Sequence, residues 1–97
     1  MQNNTQAQIS NATESLTLYI IHTLICPDPI YHSIFQDYYW RAFGVNLDLC
    51  PDEVIRHCEW LKQNPECLFY HYYNKDLSEQ GHMDMLDTII KDLKEGS

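Results

Sequence analysis

Apolar residues recur every three to four positions along most of this chain, and proline, glycine and capping residues cut the pattern into five stretches. Asn11 followed three residues later by Glu14 has the spacing of a capping box and predicts a helix through about residue 25, which Pro27 stops. Asp28-Pro29 restarts the chain, because aspartate caps free N–H groups and proline suits the first helical position. That second helix runs to about Phe43, with Gly44 placed to end it. Pro51 with Asp52 and Glu53 opens a third helix reaching about Gln63, the acids lying well against its dipole. Asn64-Pro65-Glu66 starts a short fourth element through about Tyr73. Asp76 with Glu79 is placed to cap a last helix to about Glu95, its start delayed by Gly81 and its end marked by Gly96.

The periodicity assigns faces. Ile30, Ile34, Tyr38 and Ala42 share one side of the second helix. Val54, Cys58 and Leu61 share one side of the third, and Leu86, Ile89, Ile90 and Leu93 one side of the last. Residues 16–25 and 67–73 are rich in β-branched or aromatic side chains, so both also carry a strand signal. Together these features predict an all-α fold, a compact bundle of four to five short helices in a single domain over residues 12–97. The polar stretch 1–11 reads as a flexible N-terminal segment. A chain of 97 residues buries roughly 60–70% of the surface exposed when unfolded, enough for a core without staples.

Charge narrows the partner. The formal charge is −8, from fourteen acids and six bases, and thirteen of the acids lie between Asp28 and Glu95. Such a field repels nucleic acid and anionic membranes and attracts a basic protein surface. The apolar run 16–26 is too short to span a bilayer and contains His22, and no basic region precedes it. The reading is therefore cytoplasmic, with Cys26, Cys50, Cys58 and Cys67 as reduced thiols; the sequons at Asn3 and Asn11 then carry little meaning.

Catalytic and metal chemistry find little footing. His22 with Cys26, and Cys50 with His57 and Cys58, supply ligand types, but no CxxC or other structural-zinc spacing occurs, so no metal or cofactor is expected. A Cys–His nucleophile needs a base and an oxyanion site that no motif here provides. The glycines, Gly44, Gly81 and Gly96, form no phosphate-binding loop. The chain reads as non-catalytic.

Aromatic residues carry more information. Consecutive helical residues point about 100° apart, so neither Tyr38-Tyr39-Trp40 nor the run Leu68-Phe69-Tyr70-His71-Tyr72-Tyr73 can face one core throughout. The first cluster reads as core because Trp40 lies near the apolar stripe. In the second, Tyr70, Tyr72 and Tyr73 sit among Glu66, Asp76, Glu79, Asp84 and Asp87, a tyrosine centre with an acidic rim suited to a basic protein. The bland alternatives are a core built from large rings and an ordinary solvated acidic face.

The order Asn64-Pro65, Tyr72-Tyr73, acidic loop and closing helix resembles the immunity proteins of nuclease bacteriocins over at most the last third of the chain. That resemblance implies Tyr72 and Tyr73 as anchors and Glu59 and Glu66 as charge partners. The chain departs from the family in lacking its acidic, serine-rich run and the tryptophan around its last helix, and in having an added aromatic helix at 28–43.

Two functions follow as expectations. One is a stoichiometric inhibitor or immunity-type protein covering a basic surface, such as the nucleic-acid groove of a nuclease or a CRISPR-type effector. The other is a structural or assembly subunit, or a homo-oligomer, packed through the aromatic clusters. A zinc-stabilised module is the third reading.

Overall fold

The structure is a computed structural model and describes residues 6–96. Among them are five α-helices and no strand: α1 (Gln6–Ile20), α2 (Pro29–Phe43), α3 (Pro51–Gln63), α4 (Pro65–His71) and α5 (Glu79–Glu95). A π-helical turn, Ile21–Ile25, continues α1, and a 3₁₀ turn, Leu47–Leu49, precedes α3. The all-α expectation holds, and residues 67–73 resolve as the end of α4 and an extended exit at Tyr72. The helices fall into two compact units, Met1–Asn46 and Leu47–Ser97.

In the first unit α1 begins at Gln6, so Asn11 lies inside the helix rather than capping it. Residues 6–11 of the segment read as loose are helical; residues 1–5 lie outside the described residues. Leu16, Tyr19, Ile20 and Ile21 form the buried side of α1 and its extension. The Thr17 hydroxyl stays inside by donating to the Thr13 carbonyl at 2.8 Å. The π turn, with the Cys26 N–H bonded to the Ile21 carbonyl at 2.7 Å, shifts the phase of the helix before Pro27 ends it.

α2 starts where expected. The Asp28 carboxylate accepts from the N–H groups of Ile30 and Tyr31 at 3.0 and 3.3 Å, with Pro29 next in line. Gly44 ends it at φ +70°, where a side chain would be strained, and its N–H bonds to the Trp40 carbonyl.

The face α2 buries is not the one its apolar stripe predicts. Ile30 and Ile34 are 70% and 52% exposed, and Tyr38 and Ala42 are exposed too. The buried residue is Tyr39, flanked by half-buried His32, Phe35 and Phe43. Rings decide this side. His22 stacks on Tyr31 and Phe35 with centroids 4.8 and 5.7 Å apart, Tyr19 meets His32 edge-on at 5.4 Å, and Tyr39 packs on Phe43 at 4.7 Å. Aromatic pairs contribute beyond the area they bury, which turns the aliphatic stripe outward. Of Tyr38-Tyr39-Trp40, read above as core, only Tyr39 is buried.

In the second unit the predicted faces hold. Val54, Ile55, Cys58 and Leu61 of α3 are buried, as are Leu86 and Ile89 of α5, Leu68 of α4 and Leu47. Ser78, not Asp76, caps α5: its hydroxyl accepts from the Gly81 N–H at 3.0 Å, and the helix starts at Glu79. Asp76 instead donates its own N–H to the Asn74 side-chain oxygen at 2.9 Å in the loop before it.

Burial pushes the His57 imidazole down from 6.5 to about 4. A folded-state value below the unfolded one means that the unfolded chain takes up this proton first, so stability from this group is complete above pH 6.5 and declines as the pH falls toward 4. The full linkage is on the order of 3 kcal/mol. Urea midpoints measured from pH 7 to pH 5 are expected to fall, and His57→Leu to flatten the profile. Leu86→Ala is expected to cost about 3 kcal/mol in urea unfolding, whereas Ile34→Ala in dilute solution changes stability by no more than about 0.5 kcal/mol.

Candidate interaction surface

The eight residues singled out from the sequence all belong to Leu47–Ser97, which holds eleven acidic and five basic residues, a formal charge of −6. Within α4, Leu68 points inward, so Glu66 and Tyr70, one turn apart, share the outer face. Tyr70 is 85% exposed and meets the His71 ring edge-on at 4.9 Å. The structure therefore places one tyrosine and one carboxylate on the same exposed helix face.

Tyr72 and Tyr73 belong to a different arrangement, organised by a residue that the sequence reading passed over. His82, in the first turns of α5, is fully buried. Its Nδ1 lies 2.8 Å from the Ser78 carbonyl, which can only accept, so Nδ1 carries the proton. Its Nε2 accepts the Asn74 N–H at 3.2 Å. The ring thus ties the loop after α4 to the start of α5. Three aromatic rings surround it: Tyr73 stacked at 5.2 Å and 12°, Phe69 edge-on at 5.1 Å, and Tyr72 edge-on at 6.1 Å. Tyr73 also meets Phe69 at 5.5 Å. Tyr72 is half-buried by this packing, while Tyr73 keeps 54% of its surface exposed. One ring of the pair is structural and the other presents a fixed face to solvent.

The carboxylates divide likewise. Glu66, Asp76 and Glu79 are exposed and, among the described residues, make no ion pair. Asp84 is exposed on the outer side of α5 and accepts from the Gln80 amide at 3.0 Å. Asp87 is not available in the same way, because the Lys62 ammonium of α3 pairs with it. Glu59, implied by the family resemblance, is exposed on α3. Of the carboxylates among the eight, Glu66, Asp76, Glu79 and Asp84 are the exposed ones outside any ion pair among the described residues. The Lys62–Asp87 pair and the His82 lock, both missed from sequence, join residues 25 and 8 positions apart, with no spacing motif to reveal them.

The cysteines are free thiols. Burial, with the Glu59 carboxylate adding to it, pushes Cys58 up to about 12, and burial with Glu66 raises Cys67, so both stay protonated and poorly nucleophilic at neutral pH. Among the described residues, no three His, Cys, Asp or Glu side chains are grouped to hold a metal ion, and no helix is long and apolar enough to cross a membrane.

His82→Leu keeps the bulk but strands the Asn74 N–H, while the Ser78 carbonyl loses the ring bond and keeps the backbone N–H of residue 82. It is expected to cost about 2 kcal/mol in urea unfolding and to raise acrylamide quenching of tyrosine fluorescence as Tyr72 and Tyr73 loosen. Compared with family models, with curated proteins and with solved structures, the chain finds no match.

Proposed function

We propose that this chain is a non-catalytic binding protein whose α4–α5 surface covers a basic site on another protein, in the manner of a stoichiometric inhibitor or immunity-type protein. The observation that carries the reading is the pairing of locked and exposed tyrosines with free carboxylates in one unit of charge −6. Tyr73, held flat against His82, and Tyr70, standing out beside Glu66, offer large rigid rings at low entropic cost. Glu66, Asp76, Glu79 and Asp84 provide charge that steers a basic partner and repels a polyanion. A protein surface built to bind nucleic acid, as in a nuclease or a CRISPR-type effector, is the partner chemistry that fits best.

A second reading, an assembly subunit or homo-oligomer, draws on a separate observation, the exposed apolar face of α2. The two readings use different residues and need not compete.

The charge proposal is tested by capturing partners from the native host with wild-type chain and with a Glu66→Lys, Asp76→Lys, Glu79→Lys variant. The expected result is retention of a basic protein by the wild type at low salt and a loss of affinity of at least tenfold in the variant. Equal retention by both would end the acidic-face idea. Tyr73→Ala is expected to weaken the same complex by ten- to a hundredfold, the range of interface tyrosine truncations.

A further inference from the structure

We infer that the outward face of α2 is a self-association surface that pairs antiparallel with the same helix of a second copy of this chain. Among the described residues nine large hydrophobic side chains are exposed, and five of them lie on this one helix: Ile30, Tyr31, Ile34 and Tyr38 fall on one side of it, and Trp40 on another. Ile30 and Ile34 lie on the side opposite Tyr39, so they project straight into solvent. Isoleucine there neither caps, pairs nor solubilises; its use is to be covered.

The surface is shaped as well as apolar. A groove of about 200 Å³ runs between α1 and α2, lined by Leu18, Ile34, Phe35 and Tyr38 with Asn11 and Glu14 at its edge. A shallower hollow of about 490 Å³ adjoins it, lined by Ile34, Asp37, Tyr38, Arg41 and Ala42. Ile34 and Tyr38 belong to both.

Charge selects the occupant. α2 contains one acid and one base, Asp37 and Arg41, and these pair with each other at 2.9 Å, so the helix carries no net charge in a chain of −8. A basic protein or a polyanion finds no net charge to pair with on that helix, and a second copy brings like charge to the groove at its Glu14 edge and none along the stripe itself. The stripe is also self-complementary, as a two-fold interface requires. With the axis passing midway between Ile34 and Tyr38, each Ile34 faces the Tyr38 of the other copy and each Ile30 faces the other Ala42, large against small. Arg41 then meets the half-exposed ring of the other Tyr31, a cation–π arrangement. One helix face with its flanking groove is small for an obligate dimer, so dissociation is expected at roughly micromolar concentration.

Sedimentation of the full chain over a concentration series tests this. Twice the monomer mass at high concentration is expected for the wild type, and monomer throughout for Ile34→Glu with unchanged far-UV circular dichroism. The register has its own test. Ala42→Trp places a large ring on an exposed position that a monomer tolerates, yet it collides with Ile30 across the axis and is expected to weaken association at least tenfold. Adding Ile30→Ala to the same chain makes room for the introduced indole and is expected to restore it. A wild type monomeric up to its solubility limit overturns the inference, as does a dimer that Ile34→Glu leaves intact. Because every residue here lies in Met1–Asn46, either result leaves the proposed α4–α5 surface standing.

Discussion

One buried imidazole fixes the loop between α4 and α5. The loop after α4 has no regular structure to pin it, and Tyr72, Tyr73 and Asn74 would otherwise sample many conformations. His82 removes that freedom with one donor and one acceptor aimed at backbone groups on either side, at Ser78 and Asn74. A neutral ring with its proton on Nδ1 satisfies both, and a buried ring in this position with either bond unmade would incur a desolvation cost larger than the bond itself. The same ring gives Tyr73 a flat surface to stack on and Phe69 and Tyr72 a centre to surround. The exposed half of Tyr73 is therefore held in place in the free chain, which under the proposed function lowers the entropic cost of binding.

Much of this architecture is written locally, and those parts are legible in the sequence. Asp28-Pro29, Gly44, Pro51 and Pro65 act within one helical turn of their own position, and each falls at the boundary it predicts. Asn11-Glu14 and Asp76-Glu79 show the limit of that logic. Both have capping spacing, but the chain before Asn11 is itself helical, and Ser78 stands closer to the start of α5 than Asp76 does. What fails more broadly is the choice of face. On α3 and α5 one side is apolar and the other charged, so periodicity settles which side is buried. α2 is apolar on two sides, aliphatic on one and aromatic on the other, and spacing alone ranks the aliphatic stripe first. The ring contacts that reverse the order, His22 with Tyr31 and Phe35 and Tyr19 with His32, join residues of different helices.

The candidate site was legible to the same degree. Its residue types and exposure could be anticipated from a run of aromatics too long for one helix face, and Tyr70 and Tyr73 are exposed. The fixing of Tyr73 could not, because it rests on His82, which looks in the sequence like any other histidine, nor could the engagement of Asp87 by Lys62 from another helix. The two surfaces also differ in physical character. The residues of the proposed α4–α5 surface are charged and aromatic, while α2 exposes an uncharged stripe of Ile30, Ile34, Tyr38 and Ala42.

The proposal of an acidic, pre-formed surface for a basic partner is tested most directly by association and dissociation rates with the captured partner as ionic strength rises. The account predicts an association rate that falls steeply with salt while dissociation, governed by the tyrosine contacts, changes little. An association rate indifferent to salt would contradict it.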